Sequence, residues 1–262
     1  MPRTTRCEAG RGSRGHRGIH AWASVTSDAG HKERFGRAFR RIGRYVKLAQ
    51  LGAVECTTRS DVGVFLGTGL GNTADIVPLM TKVLDPHKPR CSPMAFAGCV
   101  GNSAAFFVAA VLETSGPSVT VSQEELSFEA ALLEATLAMN EGLEWALVGG
   151  VDVMSGDPVD QRDRVNARGV EGELGEGAAF VLLGPTDGAE AVLEHVEVGT
   201  FPLDPHDRTP LWGWRTSEPE RERRLIPVAA GLRMVEALDA GGTYAHLNRS
   251  AGGLSARVLF RR

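Results

Sequence analysis

The fold is decided by the stretch Gly116-Pro117-Ser118-Val119-Thr120-Val121-Ser122-Gln123-Glu124-Glu125-Leu126-Ser127-Phe128. Its β-branched run predicts a buried strand over Ser118–Ser122, and apolar residues at helical spacing predict a helix over Leu126–Met139. The chain must therefore turn sharply between this strand and this helix. Glu125 lies at that turn, at the predicted N-terminus of the helix.

The segments on either side of this stretch alternate between strand and helix. The apolar run Ser103–Leu112 predicts a helix, and Trp145–Val151 predicts a buried strand after the central helix. Upstream, Val62–Leu66 predicts another buried strand, which leads into a helix that begins near Thr73. Buried strands separated by helices indicate an α/β layered fold with a mostly parallel sheet.

The same periodicity predicts further elements towards both ends of the chain. They are strands over Ile19–Val25, Val192–Val198 and Ser255–Phe260, one more strand with a glycine-rich entry within Gly172–Leu183, helices over Arg40–Leu51 and Ala229–Leu238, and a long loop over Phe201–Arg224 with Trp212 and Trp214 in it. The first eighteen residues are rich in arginine, glycine and serine and predict a disordered basic tail. Whether that tail belongs to the natural protein stays open.

The composition excludes several classes of protein. Hydrophobic residues make up 42% and charged residues 23% of the 262 residues, and the formal net charge is −3, which gives no reason to expect binding to nucleic acid or to an anionic membrane. No apolar run approaches the length of a spanning helix, and the N-terminus lacks the apolar core of a signal peptide. We therefore expect a cytoplasmic protein without a membrane contact.

The cysteines and histidines give no metal-binding pattern. Cys7, Cys56, Cys91 and Cys99 show no CxxC spacing, and no two histidines stand at ligand separation. Cys99 lies between glycines, where a small buried thiol is commoner than a reactive one. We expect neither a metal nor a cofactor.

A glycine-rich turn follows the strand Val62–Leu66. Gly67-Thr68-Gly69-Leu70-Gly71-Asn72 invites a dinucleotide-binding interpretation, but the third glycine of GxGxxG is displaced and no acidic residue ends a second strand about 20 residues later. A tight strand-to-helix turn without a ligand explains these glycines better.

From about Arg40 onward the chain resembles the thiolase-fold β-ketoacyl synthases. The stretch Gly116–Phe128 is laid out like their active-site elbow, where a cysteine at a helix N-terminus carries the acyl group. Four further motifs resemble the family and follow its order. Arg40-Arg41-Ile42-Gly43-Arg44 resembles its Arg-rich helix, and Gly67-Thr68-Gly69 resembles its first glycine turn. Gly175-Glu176-Gly177-Ala178 is similar to its glycine-acid-glycine segment, and Asn248–Phe260, with Gly252 and Gly253, is similar to its terminal loop and strand.

The departures from the family are consistent with one another. Glu125 stands where the resemblance places the cysteine, and a carboxylate cannot carry the acyl thioester. His195, His206 and His246 lie outside the family's histidine motifs, so we assign them no role. The terminal loop also lacks the family's gating phenylalanine, and Ser250 and Ala251 stand near its position. The resemblance implies a ketosynthase-like first half over residues 19–184 and an abbreviated second half over residues 185–262. We therefore expect no catalytic residue.

The detailed likeness is to the short, cysteine-less proteins of aryl-polyene and flexirubin-type clusters, which are similar to chain-length factors. It rests on Ser92–Phe96, Asn102–Ala104, and Ser127-Phe128 with Leu132–Ala135. The resemblance implies a heterodimer with a cysteine-bearing ketosynthase and work on an acyl carrier protein. The seam would run along Ser118, Val119, Thr120, Val121 and Ser122, and Phe106 and Phe107 would close the acyl tunnel or belong to the core.

Two other functions stay open at this stage. Glu125 could assist the decarboxylation of a malonyl thioester on the carrier protein, provided that burial keeps it protonated and able to donate a hydrogen bond. Alternatively, the chain could be a small-molecule-binding homodimer without a ketosynthase partner. In either case Glu125 also has a simple structural role, because an acid at a helix N-terminus is stabilised by the helix dipole.

Overall fold

The computed structural model describes residues 11–13, 15–36, 42–154, 176–201, 228–250 and 253–262. The strands are β1 (Arg11–Ser13), β2 (Arg17–Val25), β3 (Gly63–Gly67), β4 (Ser118–Val121), β5 (Ala146–Asp152), β6 (Gly177–Gly184), β7 (Ala191–Gly199), β8 (Thr243–Arg249) and β9 (Ser255–Arg261). The helices are α1 (His31–Phe35), α2 (Arg44–Cys56), α3 (Thr73–Val83), α4 (Pro93–Cys99), α5 (Ser103–Leu112), α6 (Ser127–Asn140) and α7 (Val228–Ala240), with a 3-10 turn over Glu124–Leu126.

All described strands join one mixed sheet. Its order is β4-β3-β5-β6-β2-β7-β9-β8, and β1 pairs with β7. The strands β4, β3 and β5 are parallel, and every other pair of described strands is antiparallel. The α/β layered fold predicted from the sequence is thus confirmed, but the parallel pairing is confined to one edge. The reason is that strand, helix and strand alternate regularly only from β3 to β5, where helical crossovers impose the parallel direction.

Helices cover both faces of this sheet. Phe65 of β3 joins the apolar cluster under α6 and α7, whereas its neighbours Val64 and Leu66 join the cluster under α2 and α5. Successive side chains of a strand point to opposite faces, so β3 supplies both layers of core. This burial on two faces explains why β3 and β6, and β5 up to its last residue Asp152, carry no charged side chain.

The sequence predicts most element positions well. The helix Ser103–Leu112 has the predicted bounds, and β2 begins two residues before the predicted Ile19. The strand β8 and the short helix α4 were missed. Arg11–Ser13 forms β1, and β2 begins at Arg17, so a disordered tail up to residue 18 is wrong for these residues. Residues 1–10, His206, Trp212 and Trp214 lie outside the described residues.

No single described helix is long and apolar enough to cross a membrane. The neighbours α4 and α5 together meet the criteria of length and composition, but they join at a 95° bend. Within this pair, Ala104, Ala105 and Val108 of α5 pack into the core beneath α2.

Candidate functional site

The turn between β4 and α6 is tight and held by one serine. The backbone amide of Gln123 donates a 2.7 Å hydrogen bond to Oγ of Ser127, and the Ser127 hydroxyl donates a 2.8 Å hydrogen bond to the carbonyl of Glu124. Glu124 has a φ of 50°, in the left-handed region that residues other than glycine rarely adopt. Such strain persists only where the surroundings fix it, and it is often found at functional sites.

Gly67 allows β3 to approach this turn. A Cβ atom on Gly67 would lie 2.3 Å from the carbonyl oxygen of Ser127, which is closer than any side chain can come. The end of β3 and the start of α6 are therefore in backbone contact only because residue 67 is glycine. The predicted elbow is thus present in the geometry of the chain.

Glu125 lies in the 3-10 turn at the tip of the elbow. Its side chain is half-buried, and its Oε2 atom is buried without a hydrogen-bond partner among the described residues. Its backbone carbonyl accepts a 2.9 Å hydrogen bond from Nδ2 of Asn248. Glu125, which stands where the resemblance places the nucleophile, is therefore an acid whose backbone is held by a hydrogen bond from β8.

The two buried cysteines among the described residues lie in surroundings that make their thiols unreactive. Cys56 is buried in α2, and burial raises its pKa to about 12. Burial also raises the pKa of Cys99 at the end of α4, with smaller contributions from Asp75 and Cys91. Raised pKa values leave these thiols protonated at neutral pH, so the inert interpretation of Cys99 agrees with its surroundings.

A buried polar cluster beneath the elbow was missed by the sequence interpretation. Glu129 is fully buried one helical turn after Glu125, and its Oε1 atom accepts hydrogen bonds from Asn248 over 2.7 Å and from His246 over 2.8 Å. His246, to which we assigned no role, thus contacts an acid of α6. The alternation of His246 and Asn248 on one face of β8 was the signal that could have revealed this cluster.

The hydrogen-bond donors of the glycine turn after β3 bind a carboxylate of the same chain. The carboxylate of Asp152, at the end of β5, accepts hydrogen bonds from the amides of Gly69 and Leu70 and from the Thr68 hydroxyl, at 3.1, 2.9 and 2.8 Å. Asp152 is fully buried. The amides that could hold a phosphate are therefore already used, which favours the turn without a ligand over a dinucleotide site.

The other predicted glycine positions lie away from the elbow. Gly177 begins β6, next to Glu176, whose carboxylate accepts a 2.7 Å hydrogen bond from Nε of Arg44 at the start of α2. The fold thus brings two of the motifs behind the resemblance into contact. Gly253 has a φ of 86°, which glycine tolerates without strain. Gly175 and Gly252 lie outside the described residues.

The predicted seam lies at an edge of the sheet. Among the described strands, β4 pairs only with β3, so the other side of Ser118–Val121 faces outward. Val119 and Val121 are half-buried and pack on the core below, and Ser122 is exposed beyond the strand end. The hydroxyl of Thr120 is buried without a partner among the described residues. These residues form an open strand edge.

The two predicted tunnel residues differ in their environment. Phe106 is 62% exposed on α5, whereas Phe107 is half-buried and packs against the core under α2. Their rings meet edge to face, with 5.3 Å between centroids. The helix α5 packs beside β3 and β4. Phe106 is therefore the one available to an outside surface, and Phe107 is a core residue.

An exposed apolar surface continues from Phe106 over α3 and α4. Large hydrophobic side chains on this surface are more than a third exposed: Val77, Met80, Leu84, Met94, Phe96 and Val100. Exposed apolar patches of this kind mark interaction surfaces, and methionines make them adaptable.

Comparison with known protein families gives the same family that the sequence motifs resemble. Residues 46–170, slightly less than half of the chain, match the family model of the β-ketoacyl synthase N-terminal domain. No curated protein matches at the level of sequence. The chain is therefore β-ketoacyl synthase-like in the segment that contains the elbow.

Solved structures of ketosynthases share the fold. The ishigamide ketosynthase/chain length factor aligns with a TM-score of 0.72 and 16% identity, over 94% of this chain and 99% of that chain. AntDE:AntF, a type II PKS acyl-carrier protein in complex with its ketosynthase bound to the hexaketide, aligns with a TM-score of 0.74 and 13% identity, over 95% of this chain and 99% of that chain. The ketosynthase ApeO in complex with its chain length factor ApeC from Xenorhabdus doucetiae aligns with a TM-score of 0.62 and 13% identity, over 95% of this chain and 100% of that chain. At these identities the likeness establishes a thiolase-type ketosynthase fold.

Proposed function

We propose that the chain is a non-condensing, chain-length-factor subunit that pairs with a cysteine-bearing β-ketoacyl-ACP synthase in polyketide or fatty-acid-type biosynthesis of the aryl-polyene kind. The observation that carries the proposal is an intact elbow with an acid at its tip. The strained backbone at Glu124 and the close approach at Gly67 are both present, and Glu125 stands where the resemblance places the nucleophile.

The chemistry of the elbow argues against condensation by this chain alone. Claisen condensation in this family needs a thiolate that forms an acyl thioester, and the chain offers a carboxylate there. His246 of β8 is hydrogen-bonded to Glu129, which is buried one helical turn after Glu125. It is therefore held by a structural partner and is not free to position a second substrate.

The surface around the elbow supports a partner. The open edge of β4 can add a strand from another subunit, because its outward backbone groups have no described strand to pair with. The adjoining apolar surface of α3, α4 and α5 would be buried by the same contact. Two of the structural relatives are ketosynthases solved with a chain length factor, and one was solved with an acyl carrier protein.

A role in chain length follows from the position of Phe106. A bulky ring that protrudes from α5 into a shared surface would block a growing acyl chain, because further extension would require overpacking. Phe107, which packs on the core, would act only by supporting that helix face. A cytoplasmic location remains the expectation from the sequence.

Reconstitution tests this proposal. The chain is co-expressed with a cysteine-bearing ketosynthase and a carrier protein from its own host, and the products are sized by mass spectrometry. We expect products only when both subunits are present, and longer products with Phe106→Ala. Products of unchanged length with Phe106→Ala would contradict the chain-length role.

Malonyl decarboxylation by Glu125 remains the second candidate from the sequence. It predicts release of carbon dioxide from malonyl carrier protein by the purified chain, and loss of that release in Glu125→Ala. A stand-alone homodimer, the third candidate, predicts that no ketosynthase is recovered with the chain.

A further inference from the structure

A groove of about 420 Å³ lies between the edge strand β4 and α6, and it reaches Val198 of β7. Its walls include Val119 and Val121 from the strand, Gln123 from the elbow, and Ala130, Leu133 and Glu134 from α6. The groove therefore lies where an added strand would place its side chains. Most of its lining is apolar or uncharged.

Glu134 is the one ionisable residue that lines this groove within the described part of the chain. It lies in the middle of α6, half-buried, and makes no ion pair with a described residue. A carboxylate in such a position is partly desolvated and gains most from an opposite charge brought by whatever fills the groove. The elbow adds charge of the same sign, since Glu124 is exposed next to Gln123.

We propose that Glu134 selects the partner at this edge: it disfavours a second copy of this chain and favours a ketosynthase-like edge strand that brings a lysine or arginine into the groove. The inference rests on the proposed function and deepens it by naming the chemistry of the partner. It follows from the symmetry of the contact. Two identical chains paired through β4 form an isologous interface, in which both Glu134 carboxylates line the same seam.

Like charges at such a seam oppose association, and opposite charges reverse the effect. Natural heterodimers use this combination of attraction to one partner and repulsion of another. The apolar walls of the groove strengthen the electrostatic difference, because they exclude water around the carboxylate. A cationic residue on the partner therefore supplies both affinity and register, whereas a neutral residue supplies neither.

The test uses the chain itself as the probe. Wild-type protein, Glu134→Lys and an equimolar mixture of the two are compared by sedimentation at low salt. The mixture can form a pair with opposite charges at the seam, and each single species cannot. We expect the mixed pair to associate at least about tenfold more tightly than either species alone, which corresponds to about 1.4 kcal/mol. High salt should reduce the difference.

Two further variants keep the result interpretable. Glu144→Lys changes an exposed acid outside the groove and should leave association with the wild type unchanged. Glu134→Gln removes the charge with little change of shape and should increase self-association, which provides a readout if the lysine variant folds poorly. A mixture no tighter than its components, or a tight wild-type homodimer, overturns the inference. Because no ketosynthase is present, this outcome is distinct from a failure to recover that partner.

Discussion

Asn248 is hydrogen-bonded to both the elbow and α6: its Nδ2 atom donates a 2.9 Å hydrogen bond to the backbone carbonyl of Glu125 and a 2.7 Å hydrogen bond to Oε1 of Glu129. One side chain of the second half of the chain thus satisfies two acceptors of the first half. Since Glu129 is fully buried, its carboxylate depends on such donors for its stability. The elbow and β8 are therefore one structural unit.

Replacing Asn248 by alanine should destabilise the fold. The carbonyl of Glu125 loses this donor, and Glu129 keeps only His246 as a described partner of Oε1, so we expect a loss of about 1–3 kcal/mol in the free energy of unfolding in urea. Asn248→Asp should cost more, because it places a second carboxylate against Glu129. An aspartate variant as stable as the wild type would show that the amide is not a donor to these groups.

Gly67 should not tolerate a side chain. Its Cβ would lie 2.3 Å from the carbonyl oxygen of Ser127, so Gly67→Ala must push β3 and α6 apart. We expect a loss of about 1–3 kcal/mol in the free energy of unfolding by heat or urea, as for other overpacked cores. Gly98→Ala is the matched control, because a Cβ there meets no atom within 4 Å. Equal effects of the two changes would contradict the backbone contact at the elbow.

Alanine substitutions of Phe106 and Phe107 should affect partner affinity and folding stability differently. Phe106 is 62% exposed, so Phe106→Ala should change the stability of the isolated chain by less than about 0.5 kcal/mol. Phe107 packs on the core, and Phe107→Ala should cost about 2 kcal/mol. Affinity for a ketosynthase should respond in the opposite order, as measured by titration of the purified subunits. A large loss of stability with Phe106→Ala would place that ring in the core.

Thiol reactivity should follow burial in the native protein. Cys91 is exposed and should be alkylated by iodoacetamide at pH 8, whereas Cys56, with a pKa of about 12, should stay unmodified until the chain unfolds. Mass spectrometry of a Cys7→Ser background gives the sites directly. The buried thiol of Cys56 stays protonated in the folded state above its ordinary pKa of 9.0, so stability should fall as the pH rises above that value. Rapid alkylation of native Cys56 would contradict this burial.

The sequence predicts what depends on local pattern and misses what depends on distant partners. The bounds of α5 are predictable because Ser103–Leu112 is a continuous apolar run with turn residues beyond its end. The strand β8 is hidden because His246 and Asn248 are polar, although Glu129, more than a hundred residues away, satisfies both of them. The capping of the glycine turn by Asp152 is likewise a long-range contact. The direction of β6 cannot be read from its own apolar residues, which explains the overestimate of parallel pairing.

In the candidate site, too, the sequence predicts the features that depend on local pattern and misses those that depend on distant contacts. The elbow and the position of Glu125 in it are predictable from the sequence, because strand, turn and helix are contiguous there. The division of Phe106 and Phe107 between surface and core is not visible, since α5 is apolar all round. The groove that contains Glu134 arises only when β4 lies at a sheet edge next to α6.

Purification of the tagged chain from its own host, with mass spectrometry of the proteins that accompany it and size-exclusion chromatography of the complex, tests the central claim most directly. We expect a stoichiometric complex with a cysteine-bearing ketosynthase, and acyl carrier protein in the same fractions. A lone monomer or homodimer, recovered under conditions in which a known ketosynthase heterodimer stays intact, would contradict it.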